Sequence, residues 1–329
     1  MKPTSMIKII VFLLLGCLFG GSMILYSNSR GHVRSGLTEY GDSGTLSGDE
    51  QNRHYEKQFS ANDNGTLIVN ADAGTVLIES WDKKEVSIIV DIDGSDSRVE
   101  KYRVEFKQEG DKIIVTGKIK DNSFFKWHVG NIDARYKIFT PQKFSADIKT
   151  SGGNVGIKNL TGKFDANTSG GNIRIENIEG ASYVSTSGGD IEANDIIGNL
   201  EAETSGGSVR SENIKGNFKG HTSGGDVVVS RIDGQVKAGT SGGSIKIELS
   251  GENKGIDVGT SGGDIDIYLG KNVTADIDAE TTGGNVDCDL PVTVRGKVKE
   301  SELHGKINGG GNPIKAETSG GSIRISVLK

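Results

Sequence analysis

Four residues, Thr-Ser-Gly-Gly, begin at Thr150, Thr168, Thr186, Thr204, Thr222, Thr240 and Thr260, with a Thr-Thr-Gly-Gly variant at Thr281 and a last copy at Thr318. The first five intervals are each 18 residues, and 20, 21 and 37 follow. A fixed short period of this kind is the mark of a solenoid, in which each repeat is one turn of a coil and neighbours cover each other's apolar faces. The period also accounts for the composition. The chain has 49 glycines, about twice the usual share of ~7%, and they arrive in pairs at turns rather than in a Gly-X-Y pattern.

Between the glycine pairs, apolar residues alternate with polar ones. Ile173, Ile175 and Ile178 are followed one repeat later by Ile191, Ala193 and Ile196, then by Val209, Ser211 and Ile214. A second alternating run precedes each threonine, as in Phe164-Ala166-Thr168 and Leu200-Ala202-Thr204. Period-2 alternation with β-branched residues predicts half-buried strands, and nothing here sustains the 3–4 spacing of a helix. Each coil is therefore expected to hold two strands and two corners, the first Ser-Gly-Gly and the second of the form Asn/Asp-apolar-X-Gly (Asn177–Gly180, Asp195–Gly198, Asn213–Gly216). A hexapeptide helix is excluded because the aliphatic period of six fails at Asp190. The handedness of the coil is left open.

The period persists upstream in a degenerate form. Gly74–Trp81 aligns with Gly171–Ile178, and alternating runs recur at Val86–Val90, Tyr102–Phe106 and Ile113–Ile119. Residues 56–149 are expected to form irregular first coils and a cap, and 150–329 the regular repeats, because a solenoid needs an atypical unit over its open end. The last run, Ser322–Leu328, is expected to leave an unpaired strand edge, a template for end-to-end self-association.

The N-terminus is of another kind. Lys2 and Lys8 precede an apolar run from Ile9 to Tyr26, which as a helix spans roughly 27 Å, about a bilayer core. Residues 1–26 thus read as a hydrophobic helix for export and anchoring. Leu14-Leu15-Gly16-Cys17 resembles a lipobox, making Cys17 a candidate lipidation site, whereas the apolar residues after Cys17 suit an uncleaved anchor. A cleaved signal peptide is the third alternative. All three place the body outside the cytoplasm, attached to or released from a cell membrane. Residues 27–55, rich in Gly, Ser, Asp and Asn, read as a flexible spacer.

The repeated Thr-Ser-Gly-Gly-[Asn/Asp/Ser]-[Ile/Val]-X-[Ile/Val], with Ile307–Ile314 and the final Thr318–Ile325, resembles the bacterial DUF4097 family. That resemblance covers residues 56–329. It implies an all-β, single-stranded β-solenoid with 18-residue coils, an adhesin label and envelope anchoring, and it brings no catalytic residues to carry over.

The candidate sites are few. The polar residue after each glycine pair (Asn154, Asn172, Asp190, Ser208, Asp226, Ser244, Asp264, Asn285, Ser322) could form a ligand ladder, but Asn, Asp and Ser at such corners ordinarily bond nearby backbone. The threonine ladder reads as buried hydroxyls, and Cys288 as a small buried hydrophobe. Phe124, Phe125 and Trp127 form the one aromatic cluster, a candidate partner contact or a lid over the core. The five scattered histidines show no metal-ligand spacing, and no nucleophile elbow or phosphate loop is present. The expectation is therefore no enzyme, no cofactor and no metal. A net charge of −6 with interspersed signs excludes a nucleic-acid partner, which would require a basic stripe. The function expected is an envelope-anchored structural or adhesin-like module with a protein or glycan on its exposed face. A polymerising scaffold or a sensor partner of a membrane signalling system is the alternative, and a polysaccharide-active enzyme comes last.

Overall fold

The structure is a computed structural model, described here for residues 52–94, 99–120, 132–294 and 299–328. The described strands form two sheets, one of 13 strands and one of 14. Among the described residues no helix is long and apolar enough to cross a membrane. The expected helix of residues 1–26 lies outside the described residues.

The chain alternates between the sheets. Leu200–Thr204 lies in the 14-stranded sheet, the Ser-Gly-Gly corner turns the chain, and Val209–Lys215 lies in the 13-stranded sheet. Each strand pairs in parallel with its equivalent one repeat on: Ile173 with Ile191, Ile191 with Val209, and Ser182 with Leu200. The core lies between the sheets. Ile173, Ile175, Ile191, Ala193, Val209, Leu200 and Ala202 are all buried, as the period-2 pattern requires.

Within Ile173–Glu179 the inward residues are 173, 175 and 178, a skip that strict alternation forbids. Asn177 supplies it, with φ of 54°, and drops out of the pairing between Glu176↔Asn194 and Ile178↔Ile196. The same left-handed conformation recurs at Asn159, Asp195, Asn213 and Arg231. Asn and Asp tolerate this region because their short side chains bond locally. Here the bond runs to the preceding coil: Asn177 Nδ2 donates to Asn159 Oδ1 at 2.8 Å, and Asn213 Nδ2 to Asp195 Oδ1 at 2.8 Å. At the other corner stacked backbones approach so closely that a Cβ on Gly207 would overlap the Gly189 carbonyl, which only glycine avoids.

The ends depart from chain order. The coil Gly65–Ala71/Thr75–Trp81 comes first in the chain but second in the stack. Gly65–Ala71 sits between Phe144–Thr150 and Lys112–Ile119, and Thr75–Trp81 between Val155–Thr161 and Asp133–Pro141. The alignment of Gly74–Trp81 with the repeat holds in space through Ile78, which pairs with Ile157. It fails at Trp81, whose ring stacks on Phe139 at 5.2 Å between centroids. Glu85–Asp93 is not the next strand of the parallel stack. It pairs antiparallel with Asp133–Pro141 on one side and Asn52–Ser60 on the other. Tyr102–Glu109 and Lys112–Ile119 form an antiparallel hairpin. The strand Asn52–Ser60 opens inside the stretch read as a spacer.

The C-terminal end mirrors this arrangement and corrects the expectation of an open last strand. Ile323–Val327 is covered on both sides, by Ile265–Leu269 and by Val286–Cys288. Pro313–Thr318 likewise lies between Ile256–Thr260 and Ala275–Thr281. The 14-stranded sheet ends instead on antiparallel Glu302–Ile307 and Val292–Val294. Antiparallel closure places short strands at the margin, one way in which sheets blunt their edges.

Candidate functional site

The corners are bound to one another rather than open to a ligand. Thr168, Thr186, Thr204, Thr222 and Thr240 each donate from Oγ1 to the second glycine carbonyl of the preceding coil, at 2.7–2.8 Å. Each also accepts from the amide of the glycine three residues on, as Thr204 does from Gly207 at 3.4 Å. The hydroxyls are thus buried and paired on both counts.

The polar residues after the glycine pairs form a second ladder. The Asn172 amide donates to Asn154 Oδ1 (2.8 Å), that of Asp190 to Asn172 Oδ1 (2.8 Å) and that of Ser208 to Asp190 Oδ1 (2.7 Å). Backbone bonding was legible in the residue types. That the partner belongs to the preceding coil was not, because it depends on stacking.

Cys288 is a half-buried free thiol whose burial pushes its pKa up, and its Sγ lies 3.7 Å from the Leu290 carbonyl. A thiol held protonated is a poor nucleophile. Cys17 and the cluster Phe124, Phe125 and Trp127 lie outside the described residues.

A groove of about 710 Å³ lies on the 14-stranded sheet, running across seven successive strands from Thr66 to Lys237. It lies between two rows. One row is the residue before each strand: Ala181, Asn199, Asn217, Gln235. The other is the first outward residue of each strand, including Tyr183 and Glu201. Its floor is the first inward residue of each coil, Phe164, Ser182, Leu200 and Phe218. Ser182 Oγ is buried and has no hydrogen-bond partner within the chain. Such an unmet hydroxyl is costly unless something supplies a partner.

The charges along the groove cancel. Asp147, Asp165 and Glu201 face Lys163, Lys219 and Lys237, and Lys219 pairs with Glu201. Asn217 Oδ1 accepts from the Gln235 amide at 3.1 Å, and Asn199 Oδ1 from that of Asn217 at 3.1 Å, which fixes their side-chain NH₂ groups as the remaining donors. Tyr183 brings an aromatic ring to the wall, its hydroxyl 3.3 Å from Glu203 Oε2. The groove was missed in the sequence, where these residues recur 18 apart and look like ordinary polar positions.

A family model described as Toastrack DUF4097 matches residues 64–326. Among solved structures, a "putative adhesin" from Bacteroides fragilis is 14% identical, with a TM-score of 0.38, covering 84% of this chain and 97% of its own. A "putative lipid binding protein" from Parabacteroides distasonis is 18% identical, with a TM-score of 0.37 and the same coverages. A "putative cell adhesion protein" from Clostridium sporogenes is 13% identical, with a TM-score of 0.23, covering 84% of this chain and all of its own. At these identities and scores the structures place no ligand on this chain. No curated protein matches it.

Proposed function

This chain belongs to the Toastrack DUF4097 family, and from that premise we propose that it is an adhesin-like binding module. In this reading it is a two-sheet β-solenoid of 18-residue coils, held at a membrane by residues 1–26 with its body outside the cytoplasm, and it is no enzyme. The groove on the 14-stranded sheet takes an extended, uncharged glycan.

The observation that carries this reading is a long groove whose charges cancel and whose walls carry side-chain amides and the Tyr183 ring. A neutral lining favours neither a polyanion nor a polycation. Side-chain amides, carboxylates and a tyrosine ring suit a ligand that is hydroxyl-rich on its edges and apolar on its faces. The long groove suits a chain molecule. Packing accounts for the coil interior, which leaves the outer faces for recognition.

The test is binding of the full-length chain, in detergent, to an array of neutral and charged polysaccharides. Tyr183→Ala and Asn199→Ala should each weaken binding to a neutral glycan without changing the far-UV circular dichroism. Equal binding by wild type and both variants, or preference for charged glycans, overturns the groove assignment. Protease accessibility of the body in intact cells tests its placement separately.

A further inference from the structure

Near the C-terminal end of the 14-stranded sheet, Ala275–Thr281 and Glu302–Ile307 run antiparallel, with Asp278 directly opposite His304 and Glu280 directly opposite Glu302. Residues two apart on a strand share a face, so these four side chains form a square on the solvent side.

The distances within the square are unequal in an informative way. His304 Nδ1 lies 2.9 Å from Asp278 Oδ1, a close contact between two exposed side chains. Its other nitrogen, Nε2, lies 3.5 Å from Glu280 Oε1 and 3.9 Å from Glu302 Oε2. These two are too long for good hydrogen bonds. They suit donors sharing a tetrahedral metal, since ligands about 2.0–2.1 Å from zinc stand roughly 3.4 Å apart. Ligand atoms of Asp278, Glu280 and His304 all lie within 4.8 Å of one another.

The sheet around the square supplies an independent reason for a cation. Glu317 is opposite Glu280 on the other side, so Glu302, Glu280 and Glu317 form one row across three strands. Like charges directly opposite are destabilising. Lys299 pairs with Glu302 at 2.8 Å and Lys315 with Glu317 at 2.7 Å. Among the described residues, the basic group near Glu280 is His304 alone. Counting Asp278, acids outnumber lysines here by two.

We propose that Asp278, Glu280 and His304 bind a divalent transition cation of the zinc class. An imidazole among the ligands selects zinc-like ions over calcium or magnesium, which take all-oxygen sites. Bridging these two strands, the ion ties down the antiparallel strand that closes this end of the sheet. Spacing in the sequence could not show this, because the ligands come from separate strands.

The test uses the full-length chain after chelator treatment and dialysis, titrated calorimetrically with zinc chloride and, in parallel, with cobalt(II) chloride read by visible absorption. One zinc per chain and a tetrahedral cobalt spectrum are expected. His304→Gln should abolish both signals, and Asp278→Asn should weaken zinc binding. His304→Gln is exposed, and unchanged circular dichroism will show that it still folds. No zinc binding, binding unaffected by His304→Gln, or calcium binding more tightly than zinc overturns the proposal.

Discussion

The hydroxyl of Thr281 donates to the carbonyl of Gly321 at 2.6 Å, although Gly321 lies 40 residues later in the chain. Between Thr168 and Thr240 the same hydroxyl reaches back to a glycine 15 residues earlier, as Thr204 does to Gly189. Thr318 completes the pattern by donating to Gly263 at 2.9 Å. The last coil of the chain is therefore the penultimate coil of the stack. It is inserted where its neighbours can pair with it on both sides.

Removing residues 313–329 should for that reason damage the interior of the stack rather than trim its end. Strands Ile256–Thr260 and Ala275–Thr281 would both lose their shared partner. We expect hydrogen exchange in the truncated protein to lose protection throughout 275–307, with an accompanying fall in the thermal midpoint. Retained protection there would contradict the insertion.

The threonine ladder sets a second expectation. Thr204→Val keeps the shape but leaves the Gly189 carbonyl without its donor, at a cost of about 1–2 kcal/mol. Thr204→Ser should keep most of the bond and cost less. Urea denaturation of the two variants side by side checks the order, and an equal loss in both would assign the effect to packing alone.

Arg231 occupies the left-handed corner, with φ of 56°, that Asn or Asp holds in the four preceding coils. Its Nε donates to Asn213 Oδ1 at 2.6 Å, and its guanidinium pairs with exposed Glu212. Asn tolerates this conformation better than Arg, and an exposed ion pair contributes only about 0–1 kcal/mol. Arg231→Asn should therefore raise stability, because it relieves an αL conformation that Arg tolerates less well. A drop in the denaturation midpoint would refute this.

The hydroxyls of Tyr102 and Tyr136 lie 2.6 Å apart inside the N-terminal end, and Tyr102 also donates to the Ala73 carbonyl at 2.8 Å. Burial pushes Tyr102 up to about 12 and Tyr136 higher still. An unfolded tyrosine loses its proton near pH 10, while folded Tyr102 keeps its proton to about 12. In that window the unfolded state binds fewer protons, so stability is full below pH 10 and falls as pH rises toward 12. Tyr102→Phe should lower stability at pH 8, through the lost bond to Ala73, yet flatten the decline above pH 10. Tyr136 should keep part of the slope. A parallel pH profile in the variant would show that the decline comes from elsewhere.

Much of this was readable from residues alone. The alternation of Ile173 and Ile175 shows the half-buried strand, because burial on a pleated strand has a period of two. The turn role of Asn172 and Asp190 followed from their side-chain chemistry. The αL bulge at Asn177 was less visible, since an apolar spacing of three also fits a strand that ends in a turn until φ is known. The groove at Ser182 was hidden, because a pocket made by residues 18 apart exists only once the coils are stacked.

The sequence by itself determined the repeat unit, its strands and corners, and which side chains face inward, because these depend on local periodicity and on the backbone freedom of Gly and Asn. Only the tertiary structure decided which coil lies next to which at the two ends. A Thr-Ser-Gly-Gly corner offers the same hydroxyl and carbonyl wherever it occurs, so the local pattern cannot tell Thr318 from Thr281 as the neighbour of Thr260. That choice follows from which arrangement pairs the most backbone and closes the sheet, a sum over contacts far apart in the chain.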